Sequence, residues 1–128
     1  MIVAGVGCRR GAPASDVDAA LRAALDRAGV AASALDAIAT TAAKQNEAAI
    51  TATAAKLGVG LVLVSDRDLQ AAGPRVATRS ERVLALMGVP SVAEAAALAA
   101  AGPAARLIAP RLVVGAATCA LAASEEFR

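Results

Sequence analysis

The residues best suited to chemistry near the start of the chain are Gly5-Val6-Gly7-Cys8-Arg9-Arg10-Gly11. They follow an apolar run and end just before a helix that opens at Ser15-Asp16. A glycine loop between a strand and a helix lets backbone N–H groups approach an anion, and two arginines add positive charge at the same place. Gly5, Gly7, Cys8, Arg9, Arg10 and Gly11 are therefore candidate ligand-binding residues. The glycine spacing also fits a dinucleotide fingerprint, but that site needs an acid at the end of the second strand, where Ala39-Thr40-Thr41 stands. A tight turn without a ligand is the remaining reading, and it leaves the basic pair without a role.

A second group, Thr40-Thr41-Ala42-Ala43-Lys44-Gln45-Asn46-Glu47, begins at a strand end and enters a helix. Thr40, Thr41, Lys44 and Glu47 would lie beside the glycine loop and concentrate polar groups there. The local alternative has Thr41 capping the helix and Lys44 with Glu47 forming an i, i+3 pair worth only about 0.2–0.5 kcal/mol. Ser91-Val92-Ala93-Glu94 has the S-x-x-E form of a capping box. Capping accounts for both residues, while a second reading has Ser91 and Glu94 also facing the ligand, with Glu94 as a base.

The chain has no histidine. His-ligated metal sites, Ser-His-Asp triads and Cys-His dyads are excluded, so any acid or base is Lys, Glu, Asp, Cys or water. Lys44 and Glu94 are the catalytic candidates. Arginines beside Cys8 could activate its thiol, but with no histidine to move protons a turn residue is the better reading. Cys119, in an apolar strand, belongs to the core. The two cysteines lack the paired spacing of a zinc site, and neither a metal nor a cofactor is expected.

These groups must be positioned by a chain of 128 residues, which suits one domain spanning 1–128. Its 58% hydrophobic content is largely alanine, which favours helices and close packing. The most apolar stretch, residues 112–123, is short of the roughly 20 needed to cross a bilayer, so no membrane association is expected. No basic segment precedes an apolar one at the start, which predicts a cytoplasmic protein. A net charge of +2, one phenylalanine and no tyrosine or tryptophan argue against nucleic acid, which needs stronger charge and stacking surfaces.

Residues 2–6 read as a buried strand. Ser15 then caps a helix whose Val17, Ala20, Leu21, Ala24, Leu25 and Ala28 share one face, ending at Gly29. A short apolar segment at 34–40 precedes a helix over 45–57 that Gly58 terminates, and a third strand covers 61–64. Ser65 and Asp68 start a short helix that stops before Gly73-Pro74. Residues 74–80 lack a period and read as a mobile loop. Helical turns at 81–87 lead through Gly88-Val89-Pro90 to a helix ending near Ala101, closed by Gly102-Pro103. Two apolar segments, 106–109 and 115–122, finish the chain.

Strand–helix alternation followed by two strands about six residues apart predicts a three-layer α/β/α domain. Its mixed, mostly parallel sheet has about five strands, with the last antiparallel because the final connection is too short for a crossover. Ligands bind outside the carboxyl ends of such parallel strands, which here means 7–11, 40–44 and 65–66.

Four segments in order, residues 5–11, Thr40 through Lys44 to Glu47, Gly88-Val89-Pro90-Ser91-Val92-Ala93-Glu94-Ala95-Ala96-Ala97 and Ala117-Thr118-Cys119-Ala120-Leu121-Ala122, carry a resemblance over nearly the whole chain. The chain resembles the CobE/CbiG C-terminal family of cobalamin (vitamin B12) biosynthesis. The G-[IV]-G-C-[RK] start and the V-P-S-V-x-E-A-A-A segment are its most specific marks. At the second motif the family usually has aliphatic-Asp-x-Lys, where this chain has Thr41-Ala42-Ala43-Lys44 and keeps only Lys44 and Glu47. The resemblance implies a part in building the corrin ring, in the stand-alone form of the family. Two-domain members open the lactone of cobalt-precorrin-5A and release acetaldehyde.

The implied ligand is a polycarboxylate precorrin or corrin intermediate, for which Arg9, Arg10, Lys44 and one of Arg67 or Arg75 are suitable partners. One hypothesis is a binder, carrier or accessory factor for that intermediate. The alternative is an enzyme of precorrin processing, a hydrolase or a catalyst of rearrangement, using Lys44 or Glu94. A third is a nucleotide- or phosphate-binding domain. Other cobalamin-pathway enzymes are candidate partners, and a homo-oligomer stays open.

Overall fold

In a computed structural model, which describes residues 1–44, 46–87 and 91–124, the chain forms β1 (Ile2–Cys8), α1 (Ala14–Ala28), β2 (Ala37–Thr41), α2 (Ala48–Leu57), β3 (Gly60–Val64), α3 (Asp66–Ala72), α4 (Glu81–Met87), α5 (Val92–Ala101), β4 (Arg106–Val114) and β5 (Ala117–Ala123). Gln45 and the Gly88-Val89-Pro90 segment lie outside the described residues. The sheet order is β3-β2-β1-β5-β4. The first three strands are parallel, and β5 runs antiparallel to both β1 and β4, as expected.

Two-residue periodicity divides the apolar side chains between the two faces. Ile2, Ala4 and Val6 point to a layer that includes Val17, Leu21, Leu25 and Ile50 from α1 and α2. Val3 joins Leu69 of α3 and Ala95, Ala96 and Leu98 of α5 on the other side. Each fully buried leucine or isoleucine contributes about 1.5–3 kcal/mol. The alanines have a specific use, because α5 lies almost in contact with the strand beneath it. A Cβ on Gly5 would stand 1.9 Å from the Ala93 carbonyl oxygen and 2.7 Å from the Ala97 nitrogen.

Three local expectations differ from the fold. Pro13, not Ser15, occupies the N-cap position of α1, with no side-chain cap: its extended backbone precedes a helix that already starts at Ala14, so Ser15 falls inside the first turn. A 3-10 turn at Ala42–Lys44 delays α2 to Ala48, so Thr41 is not its cap; the Thr41 hydroxyl instead accepts from the Ala43 N–H at 3.4 Å. Residues 74–80 are tied down: Arg75 donates to the carbonyls of Gly102 and Ala105, and the Ala77 and Thr78 N–H groups donate to Glu94. Ser65 caps α3 by accepting from the Asp68 N–H at 3.2 Å. Among the described residues no helix is long and apolar enough to cross a membrane.

Candidate functional site

The carboxyl ends of β1 and β2 open into a cavity of about 850 Å³. Gly7, Cys8, Arg9 and Arg10 come from the end of β1 and the turn after it, while Thr41 and Lys44 come from the end of β2. Two of the three predicted loops therefore meet. The third does not: Ser65 and Asp66 are outside the cavity lining, because β3 is an edge strand on the far side of β2. Arg67 is likewise outside it, and Arg75 is committed to the Gly102 and Ala105 carbonyls.

The glycine loop is not a simple cradle of N–H groups. Gly5 and Gly7 lie inside β1, where one admits α5 and the other would place a Cβ 2.8 Å from the Thr118 hydroxyl. Gly11 makes the turn, with φ +72°. The Arg9 N–H already donates to the Ala116 carbonyl at 2.9 Å, and the Gly11 N–H donates to a Glu47 carboxylate oxygen at 3.2 Å. Positive charge at this site therefore comes from side chains. Arg9 and Arg10 are exposed, and the Lys44 Nζ is 4.0 Å from the other Glu47 oxygen. Glu47 thus braces the loop and is outside the cavity lining.

Thr40 is buried and donates to the Val6 carbonyl at 2.7 Å, tying β2 to β1. Ser91 is the buried N-cap of α5 and accepts from the Glu94 N–H at 3.4 Å. The Glu94 carboxylate does not line the cavity. Fully buried, it receives the N–H groups of Ala77, Thr78 and Arg111 and the Thr78 hydroxyl. Lys44 and Glu94, the two catalytic candidates, are therefore not brought together at one open face.

Cys8 is half-buried at the cavity, and its thiol is pushed up by burial and then by Glu47, with Lys44 opposing. That direction disfavours the thiolate, which is the nucleophilic form. Burial also pushes the Cys119 thiol up, to about 12. Among the described residues no cluster of acids and cysteines could hold a metal ion.

Sequence reasoning missed Arg111, Ser80 and Thr118, which also line the cavity. Residues 110–114 were expected to be a connection, whereas β4 continues to Val114 through two register shifts. Pro110 inside that apolar run was the available signal, since proline in a sheet marks an edge or a bulge.

A mixed sheet covered on both faces, with a basic cavity at its parallel strand ends, defines the class of this domain. Residues 2–122 match the family described as cobalamin synthesis G C-terminus, and the chain belongs to it. It is a cobalamin biosynthesis protein of the CobE/CbiG C-terminal type. A protein CobE from Sinorhizobium sp is 40% identical over 127 residues, covering 99% of this chain and 82% of that one. The crystal structure of CobE, a protein from the cobalamin (vitamin B12) biosynthetic pathway, superposes with a TM-score of 0.88 at 34% identity, over 95% of this chain and 89% of that one. Cobalamin biosynthesis protein chiG from Agrobacterium tumefaciens gives 0.77 at 45% identity, over 98% and 99% of the two chains. A cobalamin biosynthesis protein G homolog from Sulfolobus solfataricus shares the fold, with a TM-score of 0.75 at 21% identity over 97% of this chain and 37% of that one.

Proposed function

We propose that the protein binds a polycarboxylate precorrin or corrin intermediate as a carrier or accessory factor of cobalamin biosynthesis. The observation that carries this reading is the cavity of about 850 Å³ that gathers Arg9, Arg10 and Lys44 at one end of the sheet. That volume lies in the upper part of the roughly 300–1,000 Å³ range of small-molecule sites. Guanidinium groups match carboxylates in two-pronged geometry, and the acetate and propionate arms of a corrin precursor would supply several. Val83, Val92 and Val113 add apolar wall for the ring.

Binding is favoured over catalysis because the acid/base set is incomplete. The Glu94 carboxylate is fully engaged by its donors, burial and Glu47 push the Cys8 thiol away from its thiolate form, and Lys44 faces Glu47. Visible spectroscopy with hydrogenobyrinic acid tests the reading. Added protein should shift the absorption bands, and the Arg9→Ala/Arg10→Ala protein should bind at least about tenfold more weakly, as expected for losing charge-assisted hydrogen bonds of about 1.5–3 kcal/mol each. Spectra unaltered at high micromolar protein would overturn it.

A further inference from the structure

Glu94 brings together two segments that are separate in the sequence. One carboxylate oxygen accepts from the N–H groups of Ala77 at 2.9 Å and Thr78 at 2.8 Å. The other accepts from the Thr78 hydroxyl at 2.7 Å and the Arg111 N–H at 2.8 Å. A buried carboxylate is costly unless its acceptor sites are filled, and four donors fill about the number it offers. A helix-capping role needs none of these bonds.

The Arg111 N–H is available for a reason. In the β4–β5 ladder, Ala109 pairs with Leu121 and Leu112 with Cys119, so Pro110 and Arg111 together oppose the single position Ala120. Such a bulge leaves a backbone group unpaired and re-aims a side chain. Glu94 takes the unpaired N–H, and Arg111 lines the cavity beside the groups from β1 and β2. Ser80, just after the Thr78 that Glu94 also holds, lines the same cavity.

We infer that Glu94 is a positioning residue, which locks the β4 bulge to the loop at Ala77 and Thr78 and so holds Arg111 at the cavity wall as a further cation for ligand carboxylates. The ligand half of this inference rests on the proposed corrin-binding role; the positioning half does not.

Glu94→Gln keeps the size of the side chain but turns an amide NH2 toward two of the donors. The Thr78 hydroxyl can turn to accept from that NH2, so the amide oxygen keeps Ala77 and Thr78 and the Arg111 N–H loses its acceptor. Hydrogen exchange should then speed up at least about tenfold at the Arg111 amide, with β1 still protected. Phenylglyoxal should modify Arg111 faster, at unchanged rates for Arg9 and Arg10. Thr78→Val, which removes only the hydroxyl, gives the same signature in milder form if Glu94→Gln does not fold. Unchanged exchange and modification in either folded variant overturn the positioning role.

With hydrogenobyrinic acid, Arg111→Ala and Glu94→Gln should each weaken binding about tenfold, and the double variant little more, because one effect passes through the other. Fully additive losses overturn action through Arg111. If the unaltered protein does not bind this acid, the corrin-binding role and the ligand half fall together, while exchange and modification decide the positioning half.

Discussion

Without lining the basic cavity itself, Glu47 ties together two segments that border it. It accepts the Gly11 N–H and neutralises part of the Lys44 charge. Glu47→Gln should leave the loop hydrogen bond to its amide oxygen while releasing Lys44. Affinity for hydrogenobyrinic acid should then rise roughly two- to fivefold, the scale of a partly exposed ion pair of up to about 1 kcal/mol. Isothermal titration at low salt would measure it, and unchanged or weaker binding would count against a cationic role for Lys44. Cys119 sets a pH dependence at the same scale. Its thiol ionises near 9.0 when exposed but only at about 12 in the fold. Between these values the unfolded chain binds fewer protons, so the stability contributed is complete below 9 and is lost as pH rises toward 12, at up to about 1.4 kcal/mol per pH unit. The melting-temperature difference between the natural protein and Cys119→Ala should shrink from pH 9 to pH 11.

At the scale of elements, the contact between α5 and β1 depends on the absence of one side chain. Gly5→Ala would drive a Cβ into backbone at Ala93 and Ala97, which cannot rotate away. Gly7→Ala would meet only the Thr118 hydroxyl, which can. Gly5→Ala should therefore cost more than the usual 1–3 kcal/mol of overpacking, and Gly7→Ala less, a ranking that urea denaturation of the two variants checks. Most elements were visible as apolar periods closed by glycine: Gly29 and Gly58 stop α1 and α2 with φ +69° in both cases. Element starts were less visible. Ser15, Thr41 and the stretch around Pro110 were misread because a cap or a bulge depends on where the chain comes from in space, and residue type alone does not record that.

For the whole molecule, the order β3-β2-β1-β5-β4 makes β5 a central strand. β5 pairs along the full length of β1, from Ile2 with Ala123 to Cys8 with Ala117, and it separates β1 from β4. A chain ending at residue 114 should lose the central pairing and fail to fold cooperatively, as read by hydrogen exchange and by the loss of a sharp thermal transition. Retained protection of β1 amides would contradict this. Alternating apolar segments, glycine stops and a short final connection were enough to set the α/β/α layers and the antiparallel last strand, because these follow from local period and chain length. That Arg9, Arg10 and Lys44 would border one cavity was also legible, since loops at parallel strand ends converge by topology. Only tertiary structure decided that Glu94 is outside the cavity lining, that Glu47 occupies the Gly11 N–H, and that Arg111 lines the cavity. Each of these is set by which unpaired backbone N–H lies within about 3 Å of a carboxylate, a distance that exists only after the strands, the bulge and the helices have packed.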